Sequence, residues 1–157
     1  MLPIIERFRS VGSTAEVLFP TVRPCHGTTK SHVSHVVEHS KWEHTVAYYL
    51  ERSPHVFSFV KNDHVDFVIP YEYMGTQHNY VPDYLVRLRR GDGSELSLIL
   101  EVKGFQTEPD RAKEVAAQRW VKAVNHHGDF GVWDLAVCRE PHRLFLMLEK
   151  IGEIQRV

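Results

Sequence analysis

The segment YVPDYLVRLRRGDGSELSLILEVKG, from Tyr80 to Gly104, leaves the chain few folds to choose from. Two runs of alternating apolar residues flank Gly91-Asp92-Gly93. Glycine accepts the positive φ of a tight reversal, so the pattern predicts an antiparallel hairpin. With those three residues as the loop, Arg90 pairs with Ser94 and, counting outward, Asp83 faces Glu101. Directly opposed residues have Cβ atoms roughly 4.5–5.5 Å apart and like charges there repel, so a purely structural sheet would avoid this pair. Something positive belongs between the two carboxylates. Strand alternation places Lys103 on the Glu101 face, whereas Leu96, Leu98, Leu100 and Val102 line the other. One face is expected to be core and the other to carry chemistry.

The rest of the chain must supply layers for that hairpin. With 157 residues, 43% hydrophobic and 25% charged, it fits one soluble domain with a substantial core. No apolar run is long enough to cross a bilayer, and Glu6, Arg7 and Arg9 interrupt Met1 to Ser10, so no secretory signal is read there. A cytoplasmic location is expected. Cys25 and Cys138 are far apart and outside any CxxC pairing, which predicts free thiols. The net charge of −1 means that contact with nucleic acid must come from local clusters or a partner module.

Residues 1–39 read as an extended arm, with short strands around Glu16 to Phe19. Its histidines, His26, His32, His35 and His39, form a patch with His44. His35 and His39 would stand one turn apart on a helix, a zinc spacing, but there is no HExxH and no matching cysteine, which favours solvated or capping histidines. Residues 40–157 read as one α/β domain. Ser40 and Glu43 have capping-box spacing for a helix to Arg52, stopped by Pro54. Strands are predicted at Val56 to Val60 and Asp66 to Tyr71, then a turn through MGTQHN into the Asp83 strand. Thr107 and Pro109 open a helix reaching His127, with Gly128 beyond it, and strands follow at Gly131 to Arg139 and Leu144 to Leu148. Arg111, Glu114, Gln118, Lys122 and Asn125 share the solvent or ligand face of that helix. Trp42 and Trp120 read as core rather than as base-stacking platforms.

Two carboxylates and a lysine at a strand end suit a hard cation with oxygen ligands, Mg²⁺ or Mn²⁺, held by Asp83, Glu101 and the Val102 carbonyl. Such an ion polarises a phosphodiester and lowers the pKa of an attacking water, while Lys103 orients the water or neutralises developing charge. The alternative is that Glu101 and Lys103 face solvent and Asp83 closes a turn after Pro82. Glu43 also has two readings, as a cap or as a third acidic group at the site.

Pro82-Asp83 followed by Glu101-Val102-Lys103 resembles the PD-(D/E)XK nuclease motif. The order helix, three-stranded meander, helix, strand resembles that superfamily's restriction-endonuclease-like αβββαβ core, a central mixed sheet flanked by helices. TTKSHVSHVVEHSKWEHTVAYYLE, VKNDHVDFVIPYEY, YVPDYLVRL, LILEVKG and WVKAVN resemble the C-terminal endonuclease region of the restriction subunit of type III restriction enzymes. The resemblance runs from about Phe19 onward. It implies that Asp83 and Glu101 bind Mg²⁺, Lys103 is the catalytic lysine and Glu43 an accessory acid, with Lys113 and Gln118 near substrate phosphate. It also implies an ATP-driven translocase and a methyltransferase-type modification subunit as partners; no G-x-x-x-x-G-K-[ST] loop occurs here, so the chain reads as either an isolated nuclease domain or a stand-alone relative.

The function expected is therefore Mg²⁺-dependent cleavage of double-stranded DNA, with Mn²⁺ as a substitute and a homodimer as one way of bringing two active sites together. Arg87, Arg89, Arg90, Arg119 and Lys122 are candidate phosphate contacts. Two other readings stay open: a non-catalytic module that docks DNA or a partner, and a repair or junction-resolving nuclease of the same fold.

Overall fold

The computed structural model describes residues 12–153. The expectations for Met1 to Ser10, the first part of the arm and the last four residues lie outside that range. Among the described residues a mixed four-stranded sheet forms the centre, and three α-helices and two small two-stranded ribbons surround it. No described helix is long and apolar enough to cross a membrane.

The chain enters through β1 (Cys25–Gly27) and β2 (His35–Val37), an antiparallel ribbon, and reaches α1 (Lys41–Arg52). Ser40 is the N-cap, and its hydroxyl accepts the Glu43 N–H at 3.3 Å. Then come β3 (Val56–Lys61), β4 (Ile69–Tyr73), β5 (Thr76–Tyr80), β6 (Tyr84–Arg89), β7 (Glu95–Val102), α2 (Glu108–His127), β8 (Trp133–Cys138) and α3 (Leu144–Gly152). The central sheet runs β3-β6-β7-β8. The β3–β6 and β6–β7 pairs are antiparallel, and β7–β8 is parallel with α2 as the crossover.

The hairpin register is the expected one. Tyr84 faces Leu100, Leu85 faces Ile99, and the Arg90 N–H donates to the Ser94 carbonyl at 2.8 Å, leaving Gly91 to Gly93 as the loop. Gly93 adopts a φ of 84°, the conformation its lack of a Cβ makes accessible.

Both faces of the sheet are covered. Val46 and Leu50 of α1 and Leu144 and Leu148 of α3 pack with Phe59, Tyr84, Leu98 and Leu100 on one side. On the other, Ala117 and Val121 of α2 meet Ile99 and the β4–β5 residues Ile69, Tyr71 and Tyr80. The second face is therefore core along most of its length, and its chemistry is confined to the strand ends.

Three expectations are corrected. Leu144 to Leu148 is helix, because Leu144 and Leu148 are buried while Leu146 between them is 61% exposed, a spacing of four rather than two. The MGTQHN stretch is not a simple turn, since Thr76–Tyr80 is a strand paired with β4 around Met74-Gly75. Both of those residues have positive φ, 51° and 73°, as a two-residue hairpin reversal requires. The segment Glu16 to Phe19 forms a turn and irregular chain rather than a strand.

Residues 25–39 of the arm are docked on the rest. The His32 N–H donates to the Phe59 carbonyl at 2.9 Å, and the Phe59 N–H donates to the Lys30 carbonyl at 3.1 Å, so the arm adds a bridge to the outer edge of β3. The Glu51 carboxylate on α1 accepts the Thr29 N–H, the Thr29 hydroxyl and the Lys30 N–H.

Candidate active site

Asp83 immediately precedes β6 and Glu101 is the penultimate residue of β7, so the register brings them side by side at one end of the hairpin. Pro82 is buried ahead of Asp83, which holds the turn into the strand. The Val102 N–H donates to Asp83 Oδ2 at 2.8 Å, fixing this carboxylate against the partner strand. The Tyr80 hydroxyl, at the end of β5, donates to Glu101 Oε2 at 2.7 Å.

Both carboxylates are half-buried, and both are harder to ionise than usual. Burial pushes Glu101 up to about 7, and repulsion from Asp83 adds to it, against the opposing pull of the Tyr80 hydroxyl, Lys103 and Lys113. Asp83 is raised by burial as well; the Val102 N–H opposes this, the Glu43 charge reinforces it, and the Lys61 and Lys103 charges oppose it. The expected repulsion between Asp83 and Glu101 is present.

The expected cation is elsewhere. Lys103 Nζ donates to Asp110 Oδ1, and Lys113 Nζ stands 3.5 Å from the same oxygen. Among the described residues no lysine or arginine forms an ion pair with Asp83 or Glu101. Asp110 is buried at the third position of α2, and its carboxylate reaches back to the Thr107 N–H at 2.8 Å, as a capping-box acid does. Burial opposes its ionisation, but hydrogen bonds from Lys103 and Thr107 outweigh that and hold its carboxyl well below the usual range. Lys103 therefore lies beside the carboxylate pair with its ammonium aimed at the start of α2.

Asp83 and Glu101 supply hard oxygen donors that repel one another with no protein cation inserted, a donor set that fits Mg²⁺ or Mn²⁺. Val102 contributes its N–H to Asp83, and its carbonyl lies on the same strand end.

The other expected residues divide. Lys113 reaches the cleft with Tyr80, Glu101, Lys103 and Asp110, its ammonium 6.0 Å from the centre of the Tyr80 ring. Gln118 and Lys122 line an adjoining groove between α2 and β8, which shares Glu114 and Arg139 with that cleft. Arg119 lies apart, beside Tyr71 and Tyr73 on the ribbon side of α2. Arg87 and Arg89 pair with Glu95 and lie over the Phe57 ring, towards the loop end of the hairpin and away from Asp83 and Glu101.

Glu43 does not join Asp83 and Glu101. Its Oε2 accepts the ammonium of buried Lys61 at 3.1 Å and the His39 N–H, so it is a capping and ion-pairing residue on the opposite sheet face. It reaches the site through its field alone, as one of the charges that raise Asp83. Trp120 packs against Phe67 and Trp133, as expected of core. Trp42 is 44% exposed, with its ring so close over Gly104 that a Cβ there would come within 2.8 Å of it.

Sequence reasoning missed Tyr80, Asp110 and Lys61. The signal for Asp110 was the T-x-x-D capping spacing after Thr107; Tyr80 and Lys61 meet their partners only through the fold. Comparison of the chain with models of protein families, with curated proteins and with solved structures found no match.

Proposed function

We propose that the chain is a metal-dependent endonuclease acting on double-stranded DNA, of the PD-(D/E)XK kind and resembling the nuclease region of type III restriction enzymes. The observation that carries this reading is the Asp83–Glu101 pair: two half-buried carboxylates, both resisting ionisation, with a lysine two residues beyond Glu101. A pair held at such a cost is more readily explained by a cation site than by a structural sheet. The sequence of elements α1, β3, β6, β7, α2, β8 supports an αβββαβ core, with the β4–β5 ribbon inserted between its first two strands.

When bound, Mg²⁺ would be held by Asp83 and Glu101 and would supply Lewis-acid stabilisation of the phosphoryl oxygens and a more acidic water. The chain's own residues do the rest. Tyr80 orients Glu101, and the Val102 N–H orients Asp83. Asp110 holds Lys103 and Lys113 beside the pair as positive charge for a scissile phosphate. Gln118, Lys122 and Arg139 along the α2–β8 groove continue the path on which a backbone would lie. Phosphate contacts of this kind carry no base reading, so site choice is assigned to a modification-type partner and translocation to an ATPase partner. Cutting both strands requires two such sites, in a homodimer or in paired complexes.

The Lys103–Asp110 pair is the observation favouring the second reading, a docking module with a nuclease fold, because it occupies the lysine. Incubation of supercoiled plasmid with the protein and Mg²⁺ or Mn²⁺, beside EDTA and a Lys103→Ala control, tests the proposal. Nicking lost in both controls supports the nuclease, whereas absence of nicking together with absence of Mn²⁺ binding supports the docking module. Strong preference for a four-way junction over linear duplex would reassign it to junction resolution.

A further inference from the structure

A second cluster of donors lies away from the carboxylate pair. His26 on β1, Glu38 just beyond β2 and His44 on α1 each present a ligand atom, and these atoms all stand within 4.8 Å of one another. They form the one group of three or more such residues found among the described residues. His44 Nδ1 and Glu38 Oε1 are 2.6 Å apart, and the His26 and His44 rings meet edge to face with centroids 5.2 Å apart.

The backbones that carry the three donors are fixed before any ion arrives. His26 pairs with Val36 in the β1–β2 ribbon, the Glu38 N–H donates to the Pro24 carbonyl at 2.9 Å, and His44 sits on the capped first turns of α1. Tetrahedral ligands at about 2.1 Å from a zinc ion stand about 3.4 Å from one another, so modest side-chain rotations close this triangle around an ion. Two borderline imidazole donors with one carboxylate make a mixed set suited to Zn²⁺ and unlike the all-oxygen set of Asp83 and Glu101. Cys25 lies outside this group, its thiol contacting the Arg23 carbonyl at 3.4 Å.

We propose that His26, Glu38 and His44 bind a late first-row divalent cation of the Zn²⁺ class, which clasps the arm ribbon to α1. Two of the ligands come from the arm and the third from α1, so the ion closes a cross-link between arm and domain beyond the packing of Val36 and the hydrogen bonds of Thr29 and Lys30 to Glu51. The fourth position is left to water. Beyond Glu38 the clasp adjoins the Lys61–Glu43 pair, since Lys61 Nζ also donates to the Val37 carbonyl at 2.8 Å. It thereby fixes the segment that holds Glu43 in place.

The experiment is Zn²⁺ titration of the metal-free full chain against a chromophoric chelator, with Asp83→Asn as a control for the other site and Co²⁺ absorption as a probe of ligand type. One Zn²⁺ per chain is expected. Affinity should be unchanged by Asp83→Asn and weakened at least tenfold by His26→Ala or His44→Ala, with a Co²⁺ spectrum lacking thiolate charge transfer. Circular dichroism shows which variants fold, and Glu38→Gln or His26→Gln replaces either alanine variant that does not. Absence of binding, binding that survives both histidine substitutions, or a thiolate band would overturn the proposal.

Discussion

Replacing Glu101 by glutamine should make the metal-free protein more stable, and the gain should depend on pH in one direction. In the folded chain the Glu101 carboxyl titrates at about 7 instead of 4.5, because burial and Asp83 disfavour its charge. Below the ordinary carboxylate range the group is protonated in both folded and unfolded chains and contributes nothing. As pH rises from 4.5 towards 7 the unfolded chain loses this proton first, so folding is progressively penalised; above 7 the whole penalty remains. That difference corresponds to about 3 kcal/mol as a ceiling. Glutamine keeps an oxygen to accept the Tyr80 hydroxyl and carries no charge to repel Asp83. Urea denaturation of wild type and Glu101→Gln at several pH values measures the effect. The variant should match wild type near pH 4 and exceed it by about 2–3 kcal/mol, or roughly 5–10 °C in Tm, near pH 8. Saturating Mg²⁺ should then raise the Tm of wild type and leave the variant where it was. A gain that does not change with pH, or a variant less stable than wild type at pH 8, would refute the electrostatic account of the pair.

Asp110→Asn removes a carboxylate that is harder to protonate in the folded chain than in the unfolded one. Its contribution is present above the ordinary carboxylate range and is lost as pH falls through the lowered folded value. The variant should therefore lose about 1–3 kcal/mol at pH 7 and little in strong acid, by denaturation at both pH values. It should also nick plasmid at least tenfold more slowly, since Lys103 and Lys113 lose their shared anchor. Tyr84→Phe deletes a buried hydroxyl with no hydrogen-bond partner among the described residues, so it should be neutral or stabilising by about 1 kcal/mol in equilibrium unfolding.

What could be read from the sequence is what local chemistry dictates. Ser40, Thr107 and Gly128 mark helix ends by the backbone groups they satisfy or the left-handed turn they allow, and α1 and α2 begin and end within a residue of where those signals put them. Gly91-Asp92-Gly93 fixes which residues of β6 and β7 pair, which is why Asp83 and Glu101 could be placed together before any coordinates. Short apolar runs carry no such marker: five apolar residues from Leu144 to Leu148 satisfy a strand or a helix, and packing of Leu144 and Leu148 against α1 decides. Thr76 to Asn79 failed for the opposite reason. All four are exposed, so no apolar alternation announces a strand whose stability comes from pairing with β4.

The site was half legible for a related reason. Its acidic pair follows from hairpin register, a local quantity, whereas the partner of each charge depends on which layer lies over which face. Glu43 was a candidate third acid because a helix beside the strands would reach them, but α1 covers the Leu98 and Leu100 face, and Glu43 meets Lys61 there. The helix on the Glu101 face is α2, which delivers Asp110 to Lys103. Glu43 therefore follows its capping reading, and the acid on the Glu101 face, Asp110, was not among the expected site residues. The consequence is that Lys103 and Lys113 ion-pair with Asp110 and act on Asp83 and Glu101 only through space, so that among the described residues neither member of the pair has a direct lysine or arginine partner. Lys103 and Lys113 offset the repulsion only in part, since Glu101 is still pushed up to about 7, and under the proposed function a divalent ion would neutralise the remainder.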